Sequence, residues 1–266
     1  MALEETDLRG LAARLNQHDA EVSGFAFEGA AMGLALLDLM TPWKKDRWQY
    51  FMHSGGDKHI YMAHVGVGWA WARLQRWRGG RTRLTNPLLR WLAIDGYGFH
   101  EGYFHWPEFI RGRALPERLS GYSRRVFDQG LGRSLWFVNG ADVERIDATV
   151  RTFPVTRRAD LWSGVGLACA YAGGVDGAAL TALRAAAAPY QAPLAQGVCF
   201  AAKTRQRAGN LTPHTELACR MLCGLNAVEA AARTDEALQD LPYDDELPAY
   251  ELWRQRIQAR FASEAA

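Results

Sequence analysis

Asp95-Gly96-Tyr97-Gly98 is one copy of a motif that recurs along this chain, in which an anchor glycine is followed by any residue and then a small one. The spacings between successive anchors are 37, 30, 34, 34 and 33 residues. A mean period of about 34 residues is the length of a helix–turn–helix repeat of the tetratricopeptide kind. The anchors are Gly29, Gly66, Gly96, Gly130, Gly164 and Gly197.

Helix-start signals lie between the anchors and support this period. Thr41-Pro42, Asn86-Pro87 and Thr212-Pro213 each combine an N-cap acceptor with proline at the first helical position. Asp176-Gly177 and Asn139-Gly140 are similar breaks. Because alternating apolar and polar residues are scarce, the sequence predicts an all-α fold with almost no sheet. It consists of about six stacked helical hairpins, as a tetratricopeptide-like α-solenoid or an α/α toroid.

Domain organisation follows from the same repeats. We predict a single all-helical domain over residues 1–266, with a capping helix at 1–20 and helical hairpins at 21–233. Residues 234–266 contain eight acids and three arginines, and they are predicted to form an acidic C-terminal cap that ends in a helix.

Composition excludes several classes of protein. The formal net charge of +2 provides no field typical of nucleic-acid or membrane-surface binding, and 48% hydrophobic residues exclude a disordered chain. Residues 1–7 carry three acids and lack the pattern of a secretory signal, so we expect a cytoplasmic protein. Four cysteines are too few for a disulfide framework.

Glycine inside a helix costs about 1 kcal/mol relative to alanine, so six at matching positions need a compensating reason. They allow successive helices to pack closely, either as plain packing points or as the walls of a chamber for a small molecule. The residues before the anchors then meet at one level, which we call the polar level. They are Glu28, Val65, Asp95, Gln129, Ser163 and Gln196.

Two carboxylates of the polar level, Glu28 and Asp95, are candidates for acid/base catalysis, because an apolar surrounding raises a carboxyl pKa. The alternative is that these side chains only cap helices or bind neighbouring backbone. Arg133 is a candidate clamp for an anion or carbonyl, or else one half of a buried ion pair, for instance with Asp128. The candidate substrate-binding residues are Trp69, Tyr97, Phe99, Tyr103, Gln129, Trp136, Trp162 and Gln196.

His100, Glu101 and His105 lie in the densest cluster of functional groups. The two histidines are five residues apart, about 140° off a common face of a regular helix, which argues against a zinc-protease site. Glu101 and His105 share a face and form either an acid/base unit or an ordinary intrahelical pair. No motif for a metal or cofactor is found, so the prediction is that none is bound.

Six arginines and no acid occur between Arg73 and Arg90. This segment is either a solvated loop or a docking patch for an anionic partner such as an acyl carrier domain.

Several of these strings together resemble a bacterial family of enediyne biosynthesis proteins. They include Gly24-Phe25-Ala26-Phe27-Glu28-Gly29-Ala30, residues 95–104 and Asp128-Gln129-Gly130-Leu131-Gly132-Arg133-Ser134-Leu135-Trp136-Phe137. The resemblance runs from about residue 20 to 262. It implies a role beside an iterative polyketide synthase that makes polyenes, and it implies no catalytic residues.

Two hypotheses follow. In the first, the protein binds a polyene or an early intermediate of enediyne core formation in an aromatic-lined chamber, as an enzyme of cyclase or isomerase type that needs no cofactor. In the second, it is a non-catalytic helical-repeat scaffold or chaperone for synthase components or a reactive intermediate.

Overall fold

A computed structural model describes residues 7–41, 43, 46–74, 84, 86–242 and 247–263. Every regular element in this part of the chain is helical and none is a strand, so the predicted all-α class is confirmed. The α-helices are α1 (Leu8–Leu15), α2 (Ala20–Met40), α3 (Arg47–Phe51), α4 (Ile60–Arg73), α5 (Trp91–Phe104), α6 (Tyr122–Val138), α7 (Val143–Arg151), α8 (Val155–Ala172), α9 (Gly177–Ala186), α10 (Gln191–Ala208), α11 (Pro213–Cys223), α12 (Ala227–Glu236) and α13 (Ala249–Ser263).

The six anchor glycines lie in α2, α4, α5, α6, α8 and α10, which pack side by side in chain order. At Gly96, a Cβ atom would collide with the carbonyl oxygen of Val65 on the preceding motif helix. Gly130 meets Asp95 in the same way, and Gly197 meets Ser163. These backbones approach too closely for any side chain, which is the compensation that the helix-interior glycines require.

Four of the six motifs have a second glycine, and it faces the following helix. A Cβ at Gly98 would collide with the carbonyl oxygen of Phe127 on α6, and one at Gly132 with that of Leu161 on α8. Gly29 differs, since a Cβ built there has no other atom within 4 Å. This exception fits the position of α2 as the first helix of the row.

Shorter helices form an outer layer against the later part of the row. The starts of α7, α9 and α11 are capped by the side chains of Asp142, Asp176 and Thr212. The predicted starts after Asp176 and Thr212 are therefore confirmed. The predicted start at Asn86 differs. Its side chain caps a turn that leads directly into α5, and no further helix lies between α4 and α5 in the described residues.

The first and last motif helices touch at one end. The carbonyl oxygen of Ala20 accepts hydrogen bonds from Asn210 Nδ2 at 2.8 Å and Arg205 Nη1 at 3.3 Å. The Phe25 ring lies edge-on to the ring of Tyr171, with centroids 5.3 Å apart. The start of α2 is thereby joined to the ends of α8 and α10.

The C-terminal helix α13 was expected to be part of a polar cap. In the structure its inner face is buried against the row, with Tyr250, Arg254 and Ile257 all 0% exposed. This helix therefore packs against the row through a buried face, and its role as a cap at the end of the repeats stays a prediction.

Helix α2 is long and apolar enough to cross a membrane by length and composition alone. Half of its most apolar 18-residue window is buried inside the protein, where it packs against α4. A buried core helix has the same composition, so this feature is weak support for a membrane span.

Candidate functional site

Helix packing brings the polar level together on the inner side of the row. Asp95 and Gln129 of the neighbouring helices α5 and α6 are joined by a hydrogen bond of 2.8 Å from Gln129 Nε2 to Asp95 Oδ2. Ser163 and Gln196 of α8 and α10 are joined by one of 2.9 Å from Ser163 Oγ to Gln196 Oε1. The prediction that these side chains meet at one level agrees with these contacts.

Arg133 forms a buried ion pair with Asp95. It is 5% exposed, and its guanidinium carbon lies 4.9 Å from the centre of the Phe99 ring, in a cation–π arrangement. The Asp95 side chain is fully buried and accepts bonds from both Arg133 and Gln129.

Glu28 lies near this pair but forms no ion-pair contact with Arg133 in the described structure. Burial raises the pKa of Glu28 from 4.5 to about 7; the charge of Arg133 lowers it and the charge of Asp95 raises it further. Its Oε1 atom is buried without a hydrogen-bond partner among the described residues. A carboxyl group that is half protonated near neutral pH can both accept and donate a proton.

Two apolar cavities adjoin these groups. Cavity A, of about 40 Å³, lies along the inner side of the row, and every motif helix and α13 contribute to its wall. Asp95 and Arg133 are its polar lining groups on α5 and α6. Its other lining residues include Phe25, Met62, Leu92, Tyr171, Phe200 and Trp253.

Cavity B, of about 300 Å³, lies between α2, α4, α5 and α6. Its polar groups are Glu28 and Arg133. Phe25, Arg133 and Phe137 line both cavities, which makes them adjacent. The predicted aromatic residues Trp69, Phe99 and Tyr103 line cavity B.

The rest of the polar level is covered by α13. Gln129 donates to the Tyr250 hydroxyl at 3.0 Å, and Gln196 Oε1 accepts from Arg254 Nε at 3.2 Å. Arg254 also donates to Asp160 Oδ1 at 2.7 Å. Gln129 and Gln196 line neither cavity A nor cavity B, so their predicted role in substrate binding gains no support from their positions.

His100, Glu101 and His105 form a second group at the C-terminal end of α5. His105 Nδ1 lies 2.8 Å from Glu101 Oε2, so the predicted pairing of these two residues is confirmed. His100 Nδ1 lies 3.3 Å from Glu101 Oε1. Glu101, His105 and Tyr97 line cavity C, of about 350 Å³, and Glu108 also lies in its lining.

Trp136 and Trp162 lie in the hydrophobic core, at 2% and 1% exposed. The Trp136 indole donates to the carbonyl oxygen of Gly173 at 3.1 Å. Neither residue lines cavities A, B or C, so the structure places these two predicted substrate-binding residues in packing positions.

The expected partner of Arg133 is also different. Asp128 pairs with Arg157 of α8, whose guanidinium donates to both carboxylate oxygens. Arg133 instead binds Asp95 of the preceding helix, α5. The sequence separation of Asp128 and Arg133 did not show that their side chains face different neighbouring helices.

Sequence reasoning missed Tyr250 and Arg254. A signal was present, since Tyr250, Trp253 and Ile257 are spaced as one apolar face of a helix. The acidic residues of the same segment led instead to the prediction of a polar cap.

The predicted arginine patch lies mostly outside the described residues, which omit 75–83 and 85. Its two described ends contact aromatic rings: the guanidinium of Arg73 lies 4.9 Å from the ring centre of Phe104, and that of Arg90 lies 5.5 Å from Trp91.

A family model described as "Protein of unknown function (DUF1702)" matches residues 1–261. Comparison with curated proteins finds no match, and comparison with solved structures finds none either.

Proposed function

The chain belongs to this family of unknown function, and we propose that it binds a flat, conjugated, apolar molecule of the polyene type in cavities A and B. The observation that carries this proposal is a pair of adjoining aromatic-lined cavities that share Arg133 and adjoin Glu28 and Asp95. Cavity B, at about 300 Å³, lies at the lower end of the range typical of small-molecule sites, and cavity A adds about 40 Å³ beside it.

Aromatic walls suit such a ligand because conjugated chains stack against ring faces. Trp69 and Phe99 are stacked, with centroids 5.3 Å apart, and Phe137 meets Phe99 edge-on at 5.4 Å. A ligand lying across Phe137 would contact both cavities. Arg133 is placed to hold a carboxylate or carbonyl at one end of it.

Glu28 supplies the acid/base function in this proposal. With a pKa of about 7, the ionised carboxylate removes a proton from one carbon of the bound chain, and the resulting acid returns it to another carbon. The net change is a shift of double bonds or a ring closure, with no gain or loss of electrons. This is chemistry of an isomerase or cyclase.

The biological setting is proposed from the resemblance to enediyne biosynthesis proteins. In this setting the chain acts in the cytoplasm on a polyene or early intermediate of enediyne core formation. A polyketide synthase or acyl carrier domain docks at residues 73–90. We further propose that the helical hairpins form a solenoid closed into an α/α toroid; the glycine contacts support the stacking of successive helices, and the bonds from Asn210 and Arg205 to Ala20 support the closure.

A conjugated tetraene fatty acid is a direct probe of the cavities, since its fluorescence rises in apolar surroundings. We expect the wild-type protein to bind it and Phe137→Ala to bind at least 10-fold more weakly, because Phe137 lines both cavities. Tyr50→Ala is the matched control, since Tyr50 is 52% exposed and lines none of cavities A, B and C. Absence of binding to the wild type, or equal binding by Phe137→Ala, would contradict the proposal.

A producing strain separates catalysis from simple holding of the ligand. We expect Glu28→Gln to abolish product formation and to accumulate a precursor, because the amide cannot transfer a proton. Unchanged product with full probe binding would instead favour the scaffold or chaperone function.

A further inference from the structure

A separate cluster at the end of α5 has the donor groups of a metal site. Glu101 lies between two imidazoles, and each of its carboxylate oxygens faces one Nδ1 atom, at 3.3 Å for His100 and 2.8 Å for His105. One ligand atom from each of the three residues can be chosen so that all lie within 4.8 Å of one another. No other such group of His, Cys, Asp and Glu occurs in the described part of the chain.

The end of the helix makes this arrangement possible. Helix α5 ends at Phe104, and His105 has φ −122° and ψ 35°, outside the helical region. The imidazole of His105 therefore turns back towards His100, and the two ring centres are 5.8 Å apart. The sequence argument against a shared metal assumed a regular helix through both histidines, and that assumption is wrong.

The spacing of the ligand atoms suits one small cation. With metal–ligand bonds of about 2.1 Å, the donor atoms of a tetrahedral site lie roughly 3.4 Å apart. Glu101 lies at hydrogen-bond distances of 2.8 and 3.3 Å from the two histidines, and one ligand atom from each residue lies within 4.8 Å of the others, so small side-chain rotations would bring the three to that spacing. His100 is fixed by packing, since its ring lies 4.8 Å from Phe104 and 5.7 Å from Trp69, whereas the His105 side chain is 54% exposed and can adjust.

The charge of cavity C favours a cation as well. Glu101, Glu108 and Glu117 contribute three carboxylates to its lining, against one guanidinium, that of Arg118. Because Glu101 and His105 lie in that lining, a bound ion would be reached from the cavity. This cavity does not include Glu28, Asp95 or Arg133.

We propose that His100, Glu101 and His105 bind one divalent first-row transition-metal ion, with its remaining coordination positions facing cavity C. Two imidazoles and one carboxylate are a donor set that suits Zn²⁺ and Fe²⁺, whereas Mg²⁺ and Ca²⁺ prefer oxygen donors. This site is independent of the proposed polyene site, and its test does not depend on any activity.

The test is titration of the tag-free full-length protein with Zn²⁺ by calorimetry, after removal of metals with a chelator. We expect one equivalent of Zn²⁺ to bind and Mg²⁺ to give no heat of binding. His105→Ala and Glu101→Gln should each weaken Zn²⁺ binding by at least about 10-fold, since each removes a direct ligand. His105→Ala is expected to fold, because the side chain is half exposed.

His53→Ala is the matched control, since His53 is an exposed histidine whose Nδ1 contacts the carbonyl oxygen of Gln49. It should bind Zn²⁺ as the wild type does. Substitution by Co²⁺ should give a visible spectrum of low-symmetry coordination in the wild type that is lost in His105→Ala. Failure of the wild type to bind Zn²⁺, or equal affinity in wild type and His105→Ala, would overturn the proposal.

Discussion

The two halves of the polar level occupy equivalent positions in the repeat but have opposite surroundings. Gln129, Ser163 and Gln196 are covered by α13 or bonded to each other. Glu28 and Asp95 face the cavities that adjoin Arg133. The same position before an anchor glycine is therefore held by hydrogen bonds to α13 or to a neighbour in one half and lines a cavity in the other.

The largest effect on stability is expected from Arg254→Met, in the half of the polar level that α13 covers (the covered half). Arg254 is 0% exposed and contacts Asp160, Glu251 and Gln196, so its loss leaves buried acceptors unpaired. We expect the free energy of unfolding in urea to fall by about 3 to 5 kcal/mol, without a direct loss of probe binding in cavity B.

Arg125→Met is the control for that change, because Arg125 also donates to Asp160 and Glu251 but its side chain is 43% exposed. A loss of about 1 kcal/mol is expected there. If both variants lost the same stability, burial by α13 would not be what distinguishes the covered half.

Close approach in the row is tested by Gly130→Ala. The new Cβ would collide with the backbone of Asp95, which no side-chain rotation can relieve. We expect a loss of about 3 kcal/mol or more in the free energy of unfolding. Gly29→Ala, where no atom lies within 4 Å, should be neutral or stabilising by up to about 1 kcal/mol. Equal costs at the two sites would show that the glycines do not report helix contact.

The smallest effect is the pH dependence contributed by Glu28. Its pKa is about 7 in the folded protein and 4.5 ordinarily, so between these values the unfolded chain releases a proton that the folded chain retains. The protonated Glu28 side chain therefore contributes fully to the free energy of unfolding below about pH 4.5. This contribution decreases as the pH rises and is lost above about pH 7.

Glu28→Gln removes this contribution. The difference in unfolding free energy between wild type and Glu28→Gln should change by at most about 3 kcal/mol from pH 4 to pH 8, in the direction that disfavours the wild type at high pH. Urea unfolding of both proteins across that range measures it. A difference that stays constant with pH would mean that Glu28 ionises normally and is not enclosed as described.

Helix pairs were predictable where local chemistry defines them. The caps at Asp176 and Thr212 depend only on residues close in sequence, and the structure shows both caps. The glycine period is read by comparing the sequence with itself, and the structure places these glycines at helix contacts. The meeting of Asp95 with Gln129 followed from the period, because equivalent residues of packed repeats lie at the same level.

Contacts between distant segments were not predictable in this way. The partner of Arg133 depends on which neighbour its side chain faces, and its spacing from Asp128 does not determine that. Likewise the geometry of His100 and His105 depends on the end of α5 at Phe104; Pro107 signals that a helix ends nearby but does not give the residue at which it ends.

The sequence by itself determined the helical class and the positions at which helices approach, because helix periodicity acts over a few residues and the glycine motif repeats at a regular interval along the chain. Only the tertiary structure decided which polar side chains remain open to a ligand. The residues that close the other half, Tyr250 and Arg254, come from a helix more than fifty positions further along the chain than Gln196. Their effect arises from burial and charge pairing, and both depend on the packed arrangement of the whole chain.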